Sequence, residues 1–332
     1  DPIRPRREGV IMQKRELGTS GITVSAVGFG AWGIGGGWGD TEDTQSVDAL
    51  NTAIDLGVTF IDTAYAYGDG RSERIIGEVV RSRSEEIVVA TKVPPANREW
   101  PARSETTADV AMPAGHLRSC TEESLRRLGM DSLDLQQIHV WNDRWLAEGS
   151  WLDEVAEMKS SGLIRAFGIS INDHSPDSAL EAVASGLIDS VQVIYNIFDQ
   201  SPRDRLLPAC VEHGVGVIVR VALDEGGLTG TMTADTTFPA DDWRSHYFKG
   251  DRPSQVAEHV DAIVADLGIA TSDLPEVALR FVLSDPAVSS VIPGMRRAAN
   301  VERNVKVGDG VPLPPETLEV LARHRWVRNF YP

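Results

Sequence analysis

From Val27 onward, short β-branched apolar runs alternate with longer stretches of helical spacing, and this alternation constrains the fold more than any other feature of the chain. VGFG (27–30), VTFIDTA (58–64), EIVVATKV (86–93) and LDLQQIHV (133–140) read as four strands. LIRAFGIS (163–170), SVQVIYN (190–196), GVGVIVRV (214–221) and SSVIP (289–293) read as four more. Most are apolar at consecutive positions, as parallel strands buried on both faces should be. Between them lie segments with the i, i+3, i+4 spacing of amphipathic helices. These cover 44–57, 72–80, 114–129, 151–160, 176–184 and 204–213, then 256–267 and 274–283, with a last helix opening near Asn300. Ser72 stands where a helix N-cap would. Eight strand–helix units at roughly 40 residues each predict a (β/α)8 TIM barrel. Residues 12–26 hold two extended pieces around a glycine turn and predict an N-terminal β-hairpin closing the barrel floor. No Pro/Ser-rich linker interrupts the pattern, so 12–332 reads as a single domain. Residues 1–11, polar and Arg-rich, read as a disordered tail before a start at Met12. The connection Leu223–Pro253 is a long rim loop, and loops of that length on compact domains are usually functional.

Charge and cysteine usage narrow the function. The 332 residues carry 49 acidic and 32 basic side chains, a formal net charge of −17. Such a surface repels nucleic acid, which needs a basic stripe, and anionic membranes. No uncharged apolar run approaches the roughly 20 residues that span a bilayer. Cys120 and Cys210 belong to no CxxC or Cys/His cluster, so no metal is predicted. Two isolated cysteines fit a reducing cytoplasm.

Gly28, Gly30 and Gly33 satisfy GxGxxG just after a predicted strand, with Asp48 and Asp55 about 20 residues further on. A dinucleotide fold of the Rossmann type needs a helix to open at the last glycine and offer its N-terminus to pyrophosphate. Here the glycines run on through Gly35, Gly36, Gly37 and Gly39, and the helix begins only near Thr44. A rim loop at the barrel mouth is the better reading.

Four polar residues fall at or just beyond the C-terminal ends of adjacent strands: Asp62 and Tyr67 in DTAYAYG, Lys92 in VVATKV, and His139 in LQQIHV. Strand ends of a parallel barrel converge on the face where this fold does chemistry. Each has a bland reading as cap, packing residue or hydrogen bonder, but a lysine ending an apolar strand needs a charge partner once buried. Together they suit carbonyl reduction. A tyrosine holds its proton at neutral pH. A nearby ammonium stabilises the phenolate left behind, a carboxylate orients that ammonium, and an imidazole fixes the carbonyl oxygen.

The residues just quoted resemble those of aldo-keto reductases. FIDTAYAYGDGRSERIIG resembles the family's Asp–Tyr signature, VVATKV its lysine motif and IHVW its histidine motif, and the similarity runs from about Lys14 to the C-terminus. The resemblance implies that Asp62, Tyr67, Lys92 and His139 form a catalytic tetrad. It implies NADPH/NADP+ as cofactor, NADH less often, lying across the barrel top without a Rossmann domain. FGISIN resembles the segment whose Ser170 and Asn172 hold the nicotinamide amide, although Ile171 is an extra residue between them. Gln192 matches the glutamine on the same amide. Gly30, Ala31 and Trp32 on the first rim loop, with Asp62, fall on the cofactor side. LDEGGLTG resembles a pyrophosphate-covering loop, bringing in Leu223, Gly226, Gly227, Leu228 and Gly230. VIPGMRRAANVERN resembles the adenosine segment, with Ile292, Gly294, Met295 and Arg296 in its first half and Asn300, Arg303 and Asn304 in its second.

One departure stands out. The family usually places an aromatic residue beneath the nicotinamide at the end of the seventh strand. Here Arg220, followed by Val221, occupies that place, and either it stacks or it turns to pair with Asp224 or Glu225. Trp32, Tyr67, His139 and Trp141, with Trp145 beyond, are expected to wall a small-molecule carbonyl site. The C-terminal HRWVRNFYP is aromatic and basic; it folds back over the barrel or serves a contact in a homo-oligomer. Two other functions fit the same residues: a cofactor-sensing regulatory or binding subunit, and a Schiff-base lyase using Lys92.

Overall fold

The structure, a computed structural model, describes residues 11–36 and 42–331. The predicted tail therefore lies outside the described residues except for Ile11, as do Gly37 and Gly39 of the glycine loop.

The apolar runs form the strands expected of them. A hairpin of β1 (Lys14–Glu16) and β2 (Thr23–Ser25) comes first. Then come β3 (Phe29–Gly30), β4 (Phe60–Asp62), β5 (Val88–Val93) and β6 (Leu133–Ile138). β7 (Ile164–Ser170), β8 (Ser190–Ile194), β9 (Gly216–Arg220) and β10 (Val288–Val291) complete the set. β3 to β10 pair in sequence order, each parallel to the next. The sheet curls until its ends meet. Val27 bridges Val291 and Gly30 bridges Gly294, both parallel, and the Gly28 amide donates to the Val291 carbonyl at 2.8 Å.

That seam explains the glycine motif. A Cβ on Gly30 would stand 2.5 Å from the Ile292 carbonyl oxygen and 2.9 Å from that of Pro293. Gly28 and Gly30 thus let the first and last strands approach, and helix α1 (Asp43–Asp55) starts well beyond Gly33.

Helices follow the strands in turn: α2 (Arg71–Ser82), α3 (Ala108–Ala111), α4 (Ala114–Leu128), α5 (Trp151–Ser160), α6 (Leu180–Ser185) and α7 (Leu206–His213). The connection after β9 carries α8 (Arg244–Tyr247), α9 (Arg252–Leu267) and α10 (Leu274–Leu283), and α11 (Ala298–Val305) and α12 (Pro315–Ala322) follow β10. Their apolar stripes and the outer faces of the strands build the main core. A second apolar cluster fills the barrel floor, where Leu17, Ile22 and Val24 of the hairpin meet Phe60, Leu135 and Ile218. Full burial of each such side chain is worth about 1.5–3 kcal/mol, so the hairpin acts as a plug.

Ser72 corrects the reading of its helix. The N-cap is Gly70 in the left-handed region, and Ser72 lies inside the helix. Its buried hydroxyl bonds Thr63 Oγ1 at 2.8 Å and the Ala31 carbonyl at 3.2 Å, tying α2 to two strand ends. Among the described residues no helix is long and apolar enough to cross a membrane.

Candidate active site

Successive parallel strands carry their C-terminal residues to one rim, and this brings the four predicted catalytic residues together. Asp62 ends β4, Lys92 lies in β5, and His139 follows β6 directly, its amide donating to the Val93 carbonyl at 2.9 Å. Lys92 is fully buried, and its Nζ donates to Asp62 Oδ2 at 2.6 Å and to the Thr63 carbonyl at 2.7 Å. A buried ammonium is tolerated only with such partners. Gln192 Nε2 donates to Asp62 Oδ1 at 2.8 Å and Gln137 Nε2 to the same oxygen at 3.3 Å, so both carboxylate oxygens of Asp62 are engaged.

Tyr67 sits in the turn beyond β4, with Lys92 Nζ 5.1 Å from its ring centroid and the His139 ring edge-on at 5.6 Å. Burial raises the Tyr67 phenol above its usual value while the Lys92 charge pulls it down; burial wins, so the hydroxyl keeps its proton at neutral pH. His139 is held well below the usual histidine range by burial, with Lys92 and Arg220 adding to the effect, so its ring is neutral. His139 Nδ1 is buried without a hydrogen-bond partner.

These groups open on a cavity of about 870 Å³, near the top of the roughly 300–1,000 Å³ usual for small-molecule and cofactor sites. Asp62, Tyr67, His139, Ser170 and Gln192 line it, as do Gly30, Ala31 and Trp32. Around the rim of β9 it is lined by Arg220, Val221, Leu223 and Gly226. Its far side is Ile292, Gly294, Met295 and Arg296, with Asn300, Arg303 and Asn304 from α11. Lys92 stands behind this wall and is not part of the lining, nor are Gly227, Leu228 and Gly230. A sealed, ion-paired Lys92 is out of reach as a Schiff-base amine.

Several expectations are corrected. Trp141 and Trp145 are buried and do not line the cavity. Trp141 Nε1 donates to the Ser178 carbonyl at 2.9 Å, and its ring packs edge-on against Trp145 and Trp151. The aromatic wall is instead Trp32, Trp100, Phe238, Trp243 and Tyr331, with the Trp100 ring 4.5 Å from that of His139. Trp243 and Phe238 come from the long connection 223–253, whose length and aromatic content were the sequence signals; Trp100, from the polar loop after β5, carried none. Tyr331 shows that the C-terminal segment folds back over the barrel.

Asn172 lines the cavity, yet its amide is spent on backbone. The extra residue Ile171 continues the ladder, its amide donating to the Gln192 carbonyl at 2.9 Å. Asn172 then clasps Trp141, accepting from its amide at 3.2 Å and donating to its carbonyl at 2.8 Å. Arg220 pairs with neither Asp224 nor Glu225. Its Nη2 donates to Asp173 Oδ1 at 2.7 Å and to the Ile171 carbonyl at 2.9 Å, while its Nε is buried without a partner. Among the described residues no His/Cys/Asp/Glu group could hold a metal ion.

Comparison with known proteins follows the same lines. The sequence model described as "Aldo/keto reductase family" matches residues 26–325. Aldo-keto reductase YhdN of Bacillus subtilis (strain 168) is 30% identical over 298 residues, covering 88% of this chain and 87% of its own. The NADH-specific methylglyoxal reductase of Escherichia coli (strain K12) is 30% identical over 312 residues, 89% of this chain and 93% of its own. The glycerol dehydrogenase structure from Gluconobacter oxydans superposes with a TM-score of 0.75 at 29% identity, covering 94% of this chain and 95% of that one.

Proposed function

The chain belongs to the aldo/keto reductase family, and from that premise we propose that it reduces an aldehyde or ketone to the alcohol with NADPH, Tyr67 giving the proton. The observation that carries the reading is that Asp62, Tyr67 and His139 open on the same cavity as Arg296, Asn300 and Arg303, with Lys92, ion-paired to Asp62, buried behind that wall.

The lining suits an extended dinucleotide. Arginines and asparagines in the lining offer donors to phosphate and adenosine, and the amide of Gln192 and the hydroxyl of Ser170 line the same cavity as Tyr67. A bound nicotinamide cofactor would supply the hydride. Tyr67 presents a protonated hydroxyl to the substrate oxygen, and Lys92, oriented by its ion pair with Asp62, stabilises the phenolate as the proton leaves. Neutral His139 orients the carbonyl oxygen. The strap 223–230, which lines the cavity through Leu223 and Gly226, would hold the diphosphate of a bound cofactor, and Arg296 and Arg303 would hold its 2′-phosphate. The apolar, aromatic wall excludes water and favours a substrate with apolar bulk. Two isolated buried cysteines suit a reducing compartment such as the cytoplasm.

The test is a panel of aldehydes, ketones and keto-sugars with NADPH and NADH, followed by the absorbance of the reduced nicotinamide. Reduction with kcat/KM higher for NADPH, and a smaller preference in Arg296→Ala, is expected. Equal kcat/KM for the two cofactors would refute the NADPH assignment, and no reduction of any carbonyl would refute the reading as a whole.

A further inference from the structure

The loop after β9 adopts a conformation that its sequence does not favour. Val221, Asp224 and Glu225 lie at φ of 57°, 52° and 52°, followed by Gly226 at 103°. Non-glycine residues seldom enter this region, and a β-branched one least of all. Such backbone persists only where its surroundings over-determine it. Asn196 Nδ2 holds the Val221 carbonyl at 2.9 Å, but the side chains of Asp224 and Glu225 are held from elsewhere.

Their partners come mostly from the last residues of the chain. The Arg328 guanidinium ion-pairs with Asp224, which is 1% exposed and also accepts from Tyr247 Oη at 3.0 Å. Tyr331 Oη donates to Glu225 Oε1 at 2.7 Å. Arg328 is itself clamped, its guanidinium 4.5 Å from the Phe330 ring centroid and 4.8 Å from that of Trp326. The segment is tied down by the Trp326 amide on the Phe198 carbonyl at 3.0 Å and by Arg252 Nη1 on the Phe330 carbonyl at 2.9 Å. Two adjacent buried carboxylates on a strained loop thus take one cation and one hydroxyl from the tail, beside the Tyr247 hydroxyl from α8. A carboxylate stripped of its partner in such a place must be rehydrated, and the loop would open to do it.

We propose that Arg328 and Tyr331 are positioning residues for cofactor binding, holding the loop 221–230, which contains the strap 223–230, closed over the cofactor side of the cavity through Asp224 and Glu225. This rests on the reading of that strap as the diphosphate cover. It gives the C-terminal segment a task separate from walling the carbonyl site. Cofactor residence time is the quantity it governs, because a strap that opens more often releases ligand faster while the tetrad beneath it is untouched.

The experiment uses the full chain, with Tyr331→Phe, which keeps the ring, and the charge-neutral pair Arg328→Met/Asp224→Asn, which leaves no buried carboxylate stranded. Amide exchange of 221–230 is measured without cofactor, and release of NADPH is followed by stopped-flow displacement. Exchange in 221–230 should rise severalfold in Tyr331→Phe, which strips Glu225 of its donor, and in the pair, which removes the tie between tail and strap, with 88–93 as the unchanged reference. Cofactor release should accelerate in both. Unchanged exchange overturns the tie between tail and strap, and faster exchange with unaltered release overturns the positioning role. Failure of the unmutated protein to bind any nicotinamide dinucleotide overturns the reading of the site instead, and the exchange result still decides the tie.

Discussion

At the scale of single residues, the proton inventory of the site makes the sharpest demands. Tyr67→Phe removes the hydroxyl and keeps the ring, so kcat should fall by at least about 10²-fold, the lower range for general acid–base catalysis, with the dissociation constant of NADPH nearly unchanged; wild-type turnover would remove Tyr67 as the acid. Arg220 makes a second demand. A cation close to the nicotinamide repels the oxidised, positively charged ring and tolerates the neutral reduced one, by up to about 4 kcal/mol at 4 Å and an effective dielectric near 20. Asp173, paired with Arg220 at 2.7 Å, offsets much of that. Arg220→Tyr should therefore tighten NADP+ more than NADPH, by a few-fold, in paired titrations of both forms; equal changes would dismiss the electrostatic account. Glu225 gives a pH signature. Burial lifts its carboxyl from 4.5 to about 7. Between those values the unfolded chain gives up the proton first, so this group's contribution to stability is full below about pH 4.5 and is lost as pH rises through 7. Glu225→Gln cannot ionise, so its Tm should fall less than wild type between pH 5 and pH 8; parallel Tm curves would contradict this.

At the scale of elements, the seam between β3 and β10 is where a small change should cost most. Gly30→Ala forces a Cβ against two backbone carbonyls rather than against a yielding side chain. We expect a loss of about 1–3 kcal/mol, as for other overpacked sites, read by urea denaturation; an unchanged midpoint would show that the seam can spread. Most elements were legible because a buried parallel strand must be apolar on both faces and a covering helix on one. Asp62, Lys92 and His139 were legible because each terminates such a run, and a strand end in this fold has a known address. Ser72 shows the limit of local rules. A serine two residues inside a helix start resembles a cap, yet its hydroxyl is taken by Thr63 and Ala31, which are distant in the chain.

At the scale of the whole molecule, charge and the C-terminal segment dominate. A net charge of −17 implies mutual repulsion that salt should screen. Individual exposed ion pairs, worth about 0–1 kcal/mol each, should not outweigh it, so Tm should rise between about 0.01 and 0.3 M NaCl, where the Debye length falls from roughly 30 Å to under 10 Å; a fall would mean that specific pairs carry more of the stability than the net charge costs. Sequence by itself determined the barrel, its plug and three of the strand-end polar residues, since periodicity and burial pattern are properties of neighbours along the chain. The family resemblance gathered a further set of residues on the single stretch 291–304, and seven of them line the cavity: Ile292, Gly294, Met295, Arg296, Asn300, Arg303 and Asn304. Tertiary structure alone decided which partner each polar group takes. Arg220 found Asp173 across two strand ends, Asn172 found the backbone of Trp141, and Trp141 turned into the core while Trp100 and Tyr331 supplied the wall. The physical reason is common to all of these. A hydrogen bond or ion pair is won by whichever group folding brings within about 3 Å, and for loops and a C-terminal tail that proximity is written in no local pattern.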